Sequence, residues 1–268
     1  MNPSGSRADN VLTPGARERL HYEAVYDQAA APGPPVVGGW SQRELYAFDL
    51  LGITSGMRIL ELGCGAGQHA VALAQRGGEV VAIDVALNGL RRARALAETA
   101  HEAGRVWPAA MDGHALGCAT ASVDRVFGAQ VLHHVDCAVV GSEVGRILKA
   151  GGRAVFIENS DRNPLLMWAR RHLIGRLGMQ RYGSDDEAPL GDAEIEAFCR
   201  ASGMTVHVHM PQLCLTVLLA RHWLRQAWAM RFFLFVDRVL ERLAPPLRRW
   251  SFLQVLEFKK RGGVVVES

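Results

Sequence analysis

Arg58-Ile59-Leu60-Glu61-Leu62-Gly63-Cys64-Gly65-Ala66-Gly67-Gln68-His69-Ala70 is the stretch that decides the fold. Its first five residues read as a strand over 58–62, bounded by Gly56 and by the Gly63–Gly67 turn, and a helix is predicted over 67–76. Such a turn lets the backbone approach a ligand with no Cβ atoms in the way. The helix behind it aims its unpaired N–H groups at the same spot, which suits an anionic group such as a carboxylate. Glu61, at the carboxyl end of the strand, adds a negative charge at that crevice. Anion-seeking amides beside a carboxylate fit a zwitterionic ligand.

The glycine register separates two classes of ligand. A dinucleotide fingerprint, G-x-G-x-x-G, would need a third glycine at position 68 after Gly63 and Gly65. Gln68 stands there instead, which disfavours a nicotinamide dinucleotide. The neighbouring strands supply the remaining partners. The second, Val80-Val81-Ala82-Ile83-Asp84, ends in an acid able to take both hydroxyls of a ribose. The third is followed by Asp112, a carboxylate able to accept from an exocyclic adenine amine.

Working outward, strands are predicted at 58–62, 79–83, 105–110, 123–128, 153–158, 205–210 and 252–259. Helices are predicted at 17–28, 41–51, 67–76, 87–102, 138–149 and 192–202, with an irregular connection near 114–119. Ser41 and Glu44 have capping-box spacing. Strands alternating with helices imply a mainly parallel sheet covered on both faces. Residues 1–40 read as an N-terminal tail and lid segment containing a Pro/Gly linker at 31–35, and 41–268 as one domain. Segments 159–191 and 211–249 break the alternation and read as insertions.

Ile59–Gly67, Asp84, Asp112, Val131-Leu132-His133-His134 and Leu148–Gly152 together resemble the class I S-adenosylmethionine-dependent methyltransferases. The likeness is greatest to the small-molecule branch with its quinone, sterol and natural-product enzymes. It covers roughly residues 41–159 by motif, and 192–210 and 252–259 by pattern; Ala150 departs from the proline often found there. The resemblance implies an α/β, doubly wound, mainly parallel seven-stranded sheet with an antiparallel last strand and helical insertions over the active-site edge. It also implies S-adenosylmethionine as cofactor. The methionine moiety is expected on Gly63, Gly65 and Gly67, the ribose on Asp84 and the adenine on Asp112, with Glu61, Cys64, Val85, Met111, Gly113 and Gln130 as further cofactor-binding residues. Singly, Asp84 also reads as a helix cap and Asp112 as a turn residue. Cys64 reads as a small buried filler rather than a nucleophile.

Methyl transfer from a sulfonium needs a base only when the acceptor loses a proton. His133 and His134, directly after the fourth strand, are the candidates, against the alternative that one packs under the sheet and the other lines the pocket. Glu158, ending the fifth strand, is a second polar candidate at that rim. His207 and His209 alternate on one strand, but two ligands make no metal site, and no metal is predicted.

The first insertion leaves the carboxyl end of the fifth strand; with an antiparallel last strand, as the resemblance implies, the second also starts and ends on that edge, where an acceptor would sit. The first carries Pro164–Leu173 and Tyr182–Glu187. The second carries Trp223, Leu224, Trp228, Met230, Phe232, Phe233, Leu234 and Phe235, with Arg221, Arg225, Arg231, Arg238 and Arg242 interleaved. Its apolar residues occupy nearly all directions of a helical wheel, which predicts a helix that buries most of its surface. A lid over an apolar acceptor, a homodimer interface and a peripheral membrane contact compete for it. Trp40, Tyr22 and Tyr26 are expected to close the pocket from the N-terminal side, as leading helices do in similar enzymes.

Composition narrows the rest. The 268 residues are 49% hydrophobic and 21% charged, the balance of a soluble globular protein. A net charge of +3, with no basic tail and no Asn/Asp-Pro-Pro-aromatic motif after the fourth strand, argues against nucleic acid as partner. Five scattered cysteines without a CxxC pair argue against a disulfide framework. The N-terminus lacks the apolar core of a signal peptide, and no apolar run is long enough to span a bilayer. A cytoplasmic enzyme is expected, methylating oxygen or carbon of a small, apolar or lipid-like acceptor. The alternative is a non-catalytic S-adenosylmethionine-binding subunit serving a partner protein.

Overall fold

The computed structural model describes residues 14–28, 40–172, 188–219 and 226–261. Its strands are β1 (Arg58–Leu62), β2 (Glu79–Asp84), β3 (Val106–Ala110), β4 (Val123–Ala129), β5 (Leu148–Asn159), β6 (Thr205–His209) and β7 (Leu253–Lys259), in one sheet of order β3-β2-β1-β4-β5-β7-β6. Pairings β1–β2, β2–β3 and β4–β5 are parallel, whereas β7 runs antiparallel to both β5 and β6. This is the expected doubly wound sheet with an antiparallel last strand. Its central strands are apolar on both faces because helices cover both.

The chain forms two compact units. The first holds α1 (Pro14–Gln28), β1, α3 (Gln68–Gln75), β2, α4 (Leu87–Thr99) and β3. Its core is Leu60, Leu62, Val80, Ile83, Leu73 and Leu96, all buried. No helix joins β3 to β4, in keeping with the poorly marked sequence there.

The second unit holds α2 (Gln42–Leu51), β4, α5 (Cys137–Ile147), β5, α6 (Pro164–His172), α7 (Asp192–Ser202), β6, the single turn α8 (Val217–Leu219), α9 (Ala227–Leu243) and β7. Phe156, Phe198 and Phe258 meet at its centre with ring centroids 4.3–6.0 Å apart. At the start of α2 the Glu44 carboxylate accepts both the hydroxyl and the N–H of Ser41, the latter at 3.0 Å. At its end, Arg125 of β4 and Arg153 of β5 donate to the carbonyls of Leu51 and Leu50, which have no intrahelical partner.

Two local readings change. β5 starts at Leu148, not 153, because Leu148 already pairs with Val123 before the register shifts and resumes at Arg153 opposite Arg125. The second concerns α9. It buries only its inner side, where Ala229 and Asp237 are covered, and leaves Trp228, Phe232, Phe235 and Leu243 exposed. The inner side is fixed by polarity rather than by apolar area. The Asp237 carboxylate accepts the N–H groups of Leu215, Thr216 and Val217 at 3.1, 2.8 and 3.2 Å and the Thr216 hydroxyl at 2.6 Å. Leu173 and Tyr182–Glu187 of the first insertion, and Arg221, Trp223, Leu224 and Arg225 of the second, lie outside the described residues.

Candidate active site

The glycine turn after β1 has the geometry its sequence demands. Gly63, Gly65 and Gly67 have φ of +67°, +52° and +82°, the left-handed region that side chains disfavour. Space forbids a Cβ as well: on Gly67 it would lie 2.8 Å from Cα of Ala93, and on Gly65 it would fall on the hydroxyl of Tyr26. The turn is bolted to β2, with the N–H of Cys64 on the carbonyl of Ile83 at 2.9 Å and that of Gly65 on Asp84 Oδ2 at 2.8 Å. Asp84 Oδ1 accepts the N–H of Ala86 at 2.8 Å. Asp84 therefore ties the glycine turn to the start of α4. Burial pushes its carboxyl above the ordinary range, and three backbone N–H groups oppose that rise. Val85 beside it is half-buried.

Glu61 is the clearest sign of a missing partner. It is buried, its Oε1 lies 3.7 Å from His69 Nδ1, and its Oε2 has no hydrogen-bond partner among the described residues. Burial, reinforced by the charge of Asp84, pushes its carboxyl well up. An acceptor buried without a donor costs free energy until a ligand supplies one, and a carboxylate is best satisfied by a cation. Cys64, buried in the same turn, has its thiol raised by burial and by the charges of Glu61 and Asp84, the opposite of an activated nucleophile.

Helix α1 packs on this turn. The Tyr26 ring lies against both Gly65 and Gly89. Its hydroxyl is held strongly in the protonated form by burial and by the charges of Asp84, Cys64 and Glu61. One turn earlier, Glu23 Oε1 accepts the N–H of Leu87 at 2.7 Å and Oε2 that of Asn88 at 2.9 Å. The residue before α4 is Ala86, which has no side chain able to cap a helix, so Glu23 does so from another segment.

At the end of β3, the N–H of Met111 reaches the carbonyl of Asp84 at 3.2 Å, Asp112 is exposed and Gly113 is buried. Asp112 Oδ1 accepts the N–H of His114 at 2.9 Å and lies 2.7 Å from its Nδ1. Against partial desolvation, those bonds and the His114 charge hold its carboxyl below the ordinary range. Asp112 thus forms a turn of its own and stays ionised.

In the second unit, Gln130, His133, His134 and Glu158 come together. Parallel register sets Ala129 opposite Ile157, so the residues after β4 meet the end of β5. Gln130 has φ +56°, rare for a non-glycine residue, and its N–H reaches the carbonyl of Ile157 at 2.8 Å. Glu158 is fully buried: its Oε1 accepts the N–H groups of Val131 and Leu132 at 2.8 and 2.7 Å, and its Oε2 lies 2.7 Å from His133 Nδ1. The His134 ring stands against that of His133 with centroids 4.0 Å apart. A carboxylate on Nδ1 fixes the ring and leaves Nε2 as the nitrogen able to take a proton.

His209 and Trp40 have side-chain partners within the second unit. His209 bridges Tyr46, 3.0 Å from its Nδ1, and the buried Glu257, 3.2 Å from its Nε2. Trp40 packs edge-on against Phe48. No group of three or more potential metal ligands occurs among the described residues. Glu23 gave no signal in the sequence, because its role is long-range. Glu158 had a weak one, as an acid ending a strand, but its pairing with His133 follows from register alone.

Residues 60–156 match the methyltransferase domain family. An uncharacterized methyltransferase of Mycobacterium tuberculosis is 36% identical over 135 residues, which are 49% of this chain and 52% of that protein. The chain thus spans about half the length of the first curated relatives it matches. A ubiquinone biosynthesis O-methyltransferase of Leptothrix cholodnii is 29% identical over 65% of this chain and 74% of its own. Among solved structures, geranyl diphosphate C-methyltransferase of Streptomyces coelicolor, in complex with Mg2+, geranyl diphosphate and S-adenosyl-L-homocysteine, superposes with a TM-score of 0.59 at 15% identity, over 93% of this chain and 100% of that one.

Proposed function

We propose that the chain is an S-adenosylmethionine-dependent methyltransferase that acts on a hydroxyl group of a small, apolar acceptor, a reading supported by the match of residues 60–156 to the methyltransferase domain family. The observation that carries this reading is the His133–Glu158 pair, 2.7 Å apart, with the carboxylate fully buried. An acceptor with a free lone pair needs no base, whereas a hydroxyl must lose its proton as the new O–C bond forms. An imidazole oriented by a buried carboxylate is suited to that task. The named relatives support the apolar character: one is an O-methyltransferase of ubiquinone biosynthesis, and one structural neighbour methylates geranyl diphosphate.

The residues of the first unit fit the donor. S-adenosylmethionine supplies a methyl group on a sulfonium that leaves as a neutral thioether. Glu61, whose Oε2 has no donor, offers a buried carboxylate to an α-ammonium group. The Gly63, Gly65 and Gly67 turn, with Cys64, offers backbone close to the methionine end; Asp84 and Val85 are assigned to the ribose, and Met111, Asp112 and Gly113 to the adenine. In the second unit, Gln130 is assigned to the donor, His133 takes the acceptor proton at Nε2, and Glu158 positions it. His134, against the His133 ring, shapes the same rim. The chain's main contribution is alignment and exclusion of water, since the donor is already activated.

The test is turnover of labelled cofactor on a panel of phenols and prenylated quinols. His133→Ala is expected to lower kcat by about 10²–10⁴-fold, with the cofactor Kd unchanged and activity partly restored by added imidazole. Full turnover by His133→Ala would remove the base from the mechanism. Cofactor binding by the wild type without turnover on any acceptor would favour the non-catalytic subunit.

A further inference from the structure

The outer face of α9 has no role in the site described above, and it has an unusual composition. Trp228, Phe232, Phe235 and Leu243 are 61%, 53%, 62% and 79% exposed. At 100° per residue they fall within one narrow sector of the helix. Arg231, Arg238 and Arg242 are exposed along one flank of that sector. No ion pair joins any of the three among the described residues. The acids of the helix lie elsewhere: Asp237 is buried on the inner side, and Glu241 is paired with Arg248. Large aromatic groups left in water beside unpaired cations call for a partner that supplies apolar depth and negative charge together.

We propose that the outer face of α9 docks on an anionic phospholipid surface. Trp228, Phe232 and Phe235 enter the boundary between headgroups and acyl chains, and the arginine flank takes the lipid phosphates. The helix lies along the surface rather than through it, since no helix among the described residues is long and apolar enough to cross a membrane. A second copy of the chain is the poorer occupant, because it would set three more arginines against these three. A bilayer rich in acidic lipid meets the arginines with phosphates throughout.

Flotation of the full chain with vesicles tests this. It is expected to float with phosphatidylcholine vesicles containing phosphatidylglycerol and not with phosphatidylcholine alone, and 0.5 M salt should release it. Substituting Arg231→Gln, Arg238→Gln and Arg242→Gln together should weaken binding about a hundredfold. Phe232→Ser with Phe235→Ser should abolish it, with the melting temperature unchanged in both variants because all five side chains are exposed. Equal flotation with both vesicle types, none with either, or full binding by both variants would overturn the proposal. So would a wild-type dimer in solution that the phenylalanine variant converts to a monomer, which would assign the face to a second copy.

Discussion

The carboxylate of Glu23 caps a helix that begins 64 residues further along the chain, with its Oε1 2.7 Å from the backbone nitrogen of Leu87. The bond makes the position of α1 depend on the start of α4, and both border the glycine turn. Glu23→Ala is therefore expected to cost about 1 kcal/mol, the usual worth of a helix cap. Faster backbone hydrogen exchange over 14–28 and a weaker cofactor Kd should accompany it. Exchange identical to the wild type would show that the contact does not hold α1.

Gly65 and Tyr26 form a second pair to test. Gly65→Ala meets a left-handed backbone and the Tyr26 hydroxyl at once, so a loss of about 2–4 kcal/mol is expected in urea unfolding. Tyr26→Ala in the same chain should recover the steric part only, leaving about 1–2 kcal/mol for the backbone conformation. Strict additivity in the double-mutant cycle would mean that the two residues do not touch.

Glu61 yields a pH dependence with a definite sign. Its carboxyl is raised in the folded chain by burial and by Asp84, so the folded state holds a proton the unfolded state has released. Stability from this group is present below the unfolded pKa near 4.5 and is lost as pH rises through the folded value. The ligand-free Glu61→Gln protein should melt higher than wild type at pH 8, by about 2–4 °C for each kcal/mol relieved, with the gap closing towards pH 4.5. Cofactor should reverse the order, because the amide cannot neutralise an ammonium group. Calorimetry at the two pH values, with and without cofactor, reads both effects. A lower ligand-free melting temperature for the variant at pH 8 would contradict this account.

Glu158→Gln separates positioning from folding. The amide carbonyl can still accept the N–H of Val131 or Leu132, so the fold should survive, while the His133 ring loses its anionic partner. A fall in kcat of about tenfold to a hundredfold, with KM for the cofactor within about twofold of wild type, is the expected result. A change in KM alone would place Glu158 outside the mechanism.

The sheet was legible because most strands are short apolar runs ended by glycine or a polar turn, and all seven are present, with β5 beginning at Leu148 rather than 153. The glycine turn was legible for a stricter reason: three left-handed residues in five leave little choice but glycine. The outward face of α9 was not. A helix with apolar residues all round does not reveal which part meets the protein, and here a buried acid, Asp237, chooses. The cap from Glu23 and the pairing of His133 with Glu158 were also hidden, since each joins segments that only the folded chain brings together.

Asp237→Asn should be costly for the same reason that it chooses. Its carboxylate serves three N–H groups and a hydroxyl, and an amide would turn two of its own donors towards them. A loss of about 2–4 kcal/mol in urea unfolding is expected, with Asp237→Ala no better.

That anchoring divides α9 between two kinds of constraint. Positions such as 229 and 237 are held by what lies beneath them, whereas 228, 231, 232 and 235 face outward, and Arg238 and Arg242 line a cavity with Gln42, Tyr46 and Asp49 of α2. Outward positions can drift or be rewritten without disturbing the scaffold, so related chains could share one catalytic body and differ in address. A library randomised at those positions alone would sample destinations while keeping the fold.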